Sequence, residues 1–293
     1  MEPVYIKPHK IKTHLTRYLD KSLLLLDTGS FPDEKTIHKV RVLLKKTRAL
    51  FRLVSPLLGE EFAGNGRKSL RTAGRIMSPW REKTVLWKTA GSLMKAHPDV
   101  FYSLEDNERI KNLMNSQVVE QDLTEDIMVS LKEVIRLLKE TSSGILFEPM
   151  ISLEPVHLFK ELENSYAIAV HNYLLARNDQ GLSIVHEFRK RSKDFLYQLS
   201  FFRQANPTVI IKLEKKLERM TGDLGKYNDL SVLLRMTGYK YKRNTNDPAL
   251  DELAVIIKDK QDEYLSKVWP VAYEIFGPLM KLDNVLADDR TGN

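Results

Sequence analysis

Residues 37–54 read IHKVRVLLKKTRALFRLV, with one histidine, six lysines and arginines, and no acid. On a helical wheel, His38, Arg41, Lys45, Arg48 and Arg52 follow one another at steps of 3, 4, 3 and 4, and so form one narrow stripe. Ile37, Val40, Leu44, Thr47, Phe51 and Val54 form a second, mostly apolar stripe beside it. The spacing predicts a helix that buries one face and carries a row of cations along the edge of that face. An exposed helix usually neutralises such a row with Asp or Glu four residues away, and this stretch has none.

The pattern recurs in residues 185–202, VHEFRKRSKDFLYQLSFF. A shift of 148 carries His38 onto His186, Arg41 onto Arg189 and Lys45 onto Lys193, and the apolar stripe becomes Val185, Phe188, Phe195, Leu199 and Phe202. Downstream, Arg81-Glu82 and Asn228-Asp229 match at a shift of 147. Two pairs at nearly one offset, close to half of the 293 residues, predict an internal duplication. The expected architecture is two helical bundles related by a pseudo-two-fold axis.

The rest of the chain supports an all-α fold. Helical periodicity predicts helices at about 8–26, 33–55, 66–96 with a break at Pro79, 100–117, 122–142, 155–178, 183–204, 207–222, 228–237, 248–268 and 271–286. No alternating strand pattern stands out. Turn chemistry separates the segments, and residues 141–155, TSSGILFEPMISLEP, mark mid-chain. The expected units are residues 1–143 and 144–293.

Composition narrows the chemistry. Hydrophobic content is 42%, enough for a core, and formal net charge is +7. Residues 35–90 hold 14 Lys and Arg against 3 Asp and Glu, and residues 183–219 hold 9 against 4. The remainder is acidic, so the positive charge is concentrated in two blocks, as an anion site requires. With no cysteine, disulfides, thiolate catalysis and Cys-based metal sites are excluded. The longest purely apolar run is Leu23–Leu26, so no membrane span is expected, and the N-terminus lacks a secretory apolar segment. No His-Glu-x-x-His, P-loop or Ser-His-Asp order occurs, so no metal, no cofactor and no catalysis are expected.

The pattern His-x-x-Arg-x-x-x-Lys occurs twice, each time followed about 42 residues later by an Arg-acid or Asn-Asp-Leu step. This ordered set resembles the CHAD family of helical domains over essentially the whole chain. The second half resembles it more closely, through His186-Glu187-Phe188-Arg189-Lys190, Lys193, Tyr197 and Leu224-Gly225-Lys226-Tyr227-Asn228-Asp229-Leu230. The resemblance implies two four-helix bundles around a basic groove, binding of inorganic polyphosphate without catalysis, and a cytoplasmic protein associated with polyphosphate granules. With no Glu-x-Glu-x-Lys signature of a triphosphate tunnel domain, a stand-alone copy is expected. Three departures stand out: Leu196 where the family usually has Arg, Ser78-Pro79 in place of a Gly-bearing turn, and Glu82 in place of Asp.

The expected polyphosphate-binding residues are His38, Arg41, Lys45, Arg48 and Arg52 with His186, Arg189, Lys190 and Lys193. Arg supplies a bidentate fork for phosphate oxygens. Arg67, Arg71 and Arg75, and Lys212, Lys216 and Arg219, are secondary candidates that could equally be solvated helix faces. The histidines read either as neutral hydrogen-bonding groups or as cationic contacts, and Tyr197 reads as wall or as phosphate contact. Arg81, Glu82, Asn228 and Asp229 read mainly as turn and cap residues. Two other readings remain: a nucleic-acid-binding protein, since phosphate contacts dominate such affinity, or a scaffold for an acidic protein. The aromatics lie on the apolar stripes rather than among the cations, which disfavours single-strand binding.

Overall fold

The computed structural model describes residues 8–115, 125–149, 155–239 and 247–286. Among these the structure is helical, with no strand. The helices are α1 (Pro8–Leu26), α2 (Glu34–Leu53), α3 (Ser55–Leu58), α4 (Glu60–Ile76), α5 (Pro79–Ala96), α6 (Pro98–Ser103), α7 (Glu108–Asn115), α8 (Glu125–Phe147), α9 (Pro155–Asn178), α10 (Leu182–Leu199), α11 (Pro207–Met236), α12 (Pro248–Phe276) and α13 (Leu282–Leu286).

Helix α2 starts where Asp33 accepts a 2.7 Å hydrogen bond from the Thr36 amide, a side-chain N-cap. It buries Ile37, Val40, Leu44, Thr47 and Phe51, the expected apolar stripe. Helices α1, α2, α4 and α8 pack on one another as a first four-helix group, and α9, α10, α11 and α12 as a second. Helices α2 and α10 join the two groups. At that junction the buried Gln198 side chain donates 3.0 Å to the Ala49 carbonyl, tying α10 to α2. One hydrophobic core runs through both groups, and a second lies between α5, α6 and α7 and the ends of α11 and α12. In the second bundle the core is aromatic: Phe188 packs on Tyr173, Trp269 and Phe276, and Phe195 on Tyr166 and Phe276.

Three helices run through places where the sequence suggested breaks. Helix α4 begins at Glu60, directly after Gly59 with φ of 77°, so the 60–65 stretch is helix and not turn. Glu60 and Glu61 suit its positive N-terminal end. Gly66 sits inside it because a Cβ there would lie 2.8 Å from the Phe51 ring, so the missing side chain sets how closely α4 approaches α2. Gly66→Ala gains about 1 kcal/mol of helix propensity but overpacks a fully buried ring at about 1–3 kcal/mol. A net loss of up to about 2 kcal/mol in chemical denaturation is expected.

Helix α11 is continuous from Pro207 to Met236, because Leu224, Tyr227, Leu230 and Leu233 stay buried across the suggested gap. Asn228 and Asp229 are therefore interior helical residues, not caps. Helix α12 continues through Pro270, with Val268, Ala272 and Ile275 buried on either side of it. Helix α8 continues to Phe147. The mid-chain connection thus falls after residues 143 and 144, and residues 150–154 of it lie outside the described set.

Candidate functional site

The junction of α2 and α10 brings the two basic motifs together. Arg41 and Arg189 have equivalent roles. The Arg41 Nη1 donates to the Gly74 carbonyl and, at 2.9 Å, to Ser78 Oγ. The Arg189 Nε donates 3.1 Å to the Thr221 carbonyl. Each arginine thus leans on the next long helix, α4 for Arg41 and α11 for Arg189. The shift of 147 pairs Ser78 with Gly225. A Cβ at Gly225 would stand 3.1 Å from Arg189 Nη2, so the bare backbone makes room for one guanidinium where a serine hydroxyl receives the other. The Ser78-Pro79 departure thereby acquires a role.

Arg41 and Arg189 are half-buried and hold backbone carbonyls. Arg41→Glu sets a carboxylate against an oxygen acceptor and abandons two donors. It should cost about 2 kcal/mol or more, read as a lowered denaturation midpoint.

Lys45 lies between these arginines. Burial, followed by the positive fields of Arg189, Arg41, Lys193 and Arg81, pushes its ammonium down to about 7. Burial, then Arg189, with Arg81 and Lys46 adding to it, lowers Lys193 to about 8, and Glu218 partly offsets this. Burial and then Arg81 hold His38 below its ordinary value, and burial and then Arg189 do the same for His186, which also bonds Asn228. Both imidazoles are therefore neutral near pH 7, the first of the two readings, and the Nδ1 of each is buried without a partner. Tyr197 is buried, and burial raises its phenol to about 12. Its ring faces Lys193 at 5.8 Å and Lys46 at 5.7 Å, so it is wall.

The sequence undervalued Arg81. Its charge acts on His38, Arg41, Lys45, Arg189 and Lys193, and on Asp229, whose carboxyl burial raises. The signal was present: the 147 shift pairs Arg81 with Asn228, the residue bonded to His186.

Beside α4 the cations line an open cleft of about 200 Å³, walled by Arg41, Lys45, Arg48, Arg71 and Arg75 with Leu44, Leu70, Gly74 and Ser78. No acid and no aromatic residue lines it. Lys45, Arg48, Arg71 and Arg75 have no side-chain hydrogen bond or ion pair among the described residues, and the buried Nε atoms of Arg41 and Arg48 have no partner.

Other expected residues are committed elsewhere. Arg52 pairs with Asp194 at 2.9 Å and Lys190 with Glu187 at 2.5 Å. Arg67 donates to Ser55 Oγ and lies 3.6 Å from Glu60. Lys216 pairs with Glu274 at 2.5 Å, while Lys212 and Arg219 are exposed on α11. Leu196, the shifted equivalent of Arg48, is buried in the core.

The CHAD domain, as a family, matches residues 13–237. The chain belongs to the CHAD-domain family. Neither the curated proteins nor the solved structures offer a match. The matched part of this CHAD domain ends at the C-terminus of α11, yet α12 lies beyond it and packs along α11 to complete the second bundle. Among the described residues no helix is long and apolar enough to cross a membrane, and no group of three or more His, Asp or Glu could hold a metal ion.

Proposed function

We propose that this CHAD domain binds inorganic polyphosphate at the cation cluster between α2, α4, α5 and α10, and that it binds without catalysing turnover. The observation that carries the reading is the cleft walled by five cations and no acid. Crowding Lys45 with Arg41, Arg189, Lys193 and Arg81 costs the empty protein free energy, and a polyanion relieves it. Polyphosphate presents closely spaced charges in a line, which suits side chains placed at steps of three and four along a helix. RNA phosphates are spaced more widely, and the bases need aromatic platforms. Phe51, Phe188 and Phe195 are instead buried.

Calorimetric titration with linear polyphosphates and with single-stranded RNA of equal charge, at physiological salt, tests the proposal. Polyphosphate should bind more tightly, orthophosphate and pyrophosphate weakly, and affinity should fall steeply with salt as counterions are released. Equal affinity for RNA would transfer the site to nucleic acid.

A further inference from the structure

The sequence places cations in both halves alike, but the folded site is lopsided. On the α2–α4 side, the largest charges acting on Lys45 are positive, the acid that reaches it, Asp229, comes from α11, and Arg71 and Arg75 stand without an acidic partner among the described residues. On its flanks Glu34 acts on His38, Glu82 on Arg41 and Asp194 on Arg48. On the α10–α11 side acids act on Arg189, Lys190, Arg191, Lys193 and Lys216. Asp229 acts on Arg189 and Glu218 on Lys193. Lys190 and Arg191 are paired with Glu187, and Lys216 with Glu274. The Arg48 position is repeated as the buried Leu196, and the 147 shift that pairs Ser78 with Gly225 sets Glu218 opposite Arg71 and Gly222 opposite Arg75.

We infer that Arg71 and Arg75 of α4 complete a subsite with Arg41, Lys45 and Arg48 that is filled by a short linear polyphosphate of about five residues, one charge per cation. This rests on the polyphosphate reading and narrows it: the α10 half adds little, and the ligand track is about half as long as two equal basic stripes suggest. Lys45, Arg48, Arg71 and Arg75 each meet a phosphate oxygen without first giving up an internal partner, whereas Arg41 is already held by Gly74 and Ser78. On the α10 side a phosphate must displace Glu187 or Glu274, or accept their repulsion, so the net gain per contact is small.

The test is calorimetric titration of the full chain with linear polyphosphates of three, five, ten and about a hundred residues, corrected for the number of registers each chain offers. Affinity per register should rise from three to five phosphates and then stay flat. Arg71→Gln with Arg75→Gln should weaken the five-residue and the hundred-residue chains by one common factor, about 100-fold for two charge-assisted contacts. Both side chains are exposed, so thermal melts should not move. Lys190→Gln with Lys216→Gln should change either affinity less than about twofold. Affinity per register that keeps climbing from five to ten phosphates overturns the inference. So does a Lys190/Lys216 variant that costs long chains as much as the Arg71/Arg75 variant. Failure of every chain to bind sinks the polyphosphate reading itself, and is told apart because the other two outcomes both require binding.

Discussion

Lys45→Glu should abolish polyphosphate binding and leave the protein folded. The substitution replaces a cation with an anion at the centre of the cluster, where Arg41, Arg189, Lys193 and Arg81 all act on it. The new carboxylate pairs with those arginines, so the site fills itself. Two units of charge at a point worth about 1.5–3 kcal/mol per charged contact amount to a loss of about 10³-fold or more. Because Lys45 makes no hydrogen bond or ion pair among the described residues, nothing in the fold is abandoned, and the denaturation midpoint should hold or rise. Lys45→Gln should fall between the two, losing about tenfold at pH 6. Binding by Lys45→Glu within tenfold of the parent chain would move the site away from α2. A protein that unfolds on Lys45→Gln would make the lysine structural.

The α2 stripe could be read because two physical signals coincide in it. His38, Arg41, Lys45 and Arg48 share a helical spacing, and the apolar stripe next to them fixes which way that row turns in the fold. The same held for His186, Arg189 and Lys193. Partners from distant segments left no local trace. Asp194 is one step around α10 from Lys193, yet how α10 crosses α2 decides that it takes Arg52 out of the row. Lys190 belongs on the wheel with His186 and Lys193, but Glu187, one turn before it, holds it outside. The site is therefore smaller than its sequence signature.

The helix boundaries misread at residues 60–65 and 223–227 have a common cause. The expected helices begin only at Gly66 and end at Gly222, with Gly225 in the gap that follows, and each glycine costs about 1 kcal/mol in a helix. Close approach by Phe51 to Gly66 and by Arg189 to Gly225 outweighs that cost, and such approach belongs to tertiary structure. Asn228-Asp229 looked like a cap because Asn and Asp are strong N-caps. Within α11, Asn228 serves His186 and Asp229 lies in the field of Arg189 and Arg81. A local rule failed at the positions where the two motifs of each half meet.

Binding of polyphosphate should draw about one proton from solution at pH 7.5. In the empty protein Lys45 titrates at about 7 and Lys193 at about 8, so at pH 7.5 roughly one ammonium in total is missing from the pair. The groups facing them are known from every packed helix: His38 and Arg41 on α2, Arg189 on α10, Arg81 on α5, Glu218 and Asp229 on α11. Only the last two oppose the shift. A bound polyanion restores both lysines toward their ordinary range, so protons are taken up. Linkage then fixes the sign. Below pH 6 both lysines are already charged and add no further pH dependence, while His38 and His186, held below their ordinary value, gain charge there and strengthen anion binding. Above pH 7 affinity falls, by up to tenfold per unit for each proton required. Stability of the empty protein moves the other way: both lysines bind protons more weakly folded than unfolded, so it rises between pH 7 and about 10.5, and the penalty is complete below pH 7. Ligand should flatten that rise. Titrations in two buffers of different protonation enthalpy measure the uptake directly. Chains of about a hundred phosphates keep the weakly acidic chain ends from contributing. Lys45→Arg, which stays charged, should cut the uptake to well under half a proton while preserving affinity at pH 6. Zero uptake by the parent chain at pH 7.5 would mean that the ligand settles away from the lysine pair.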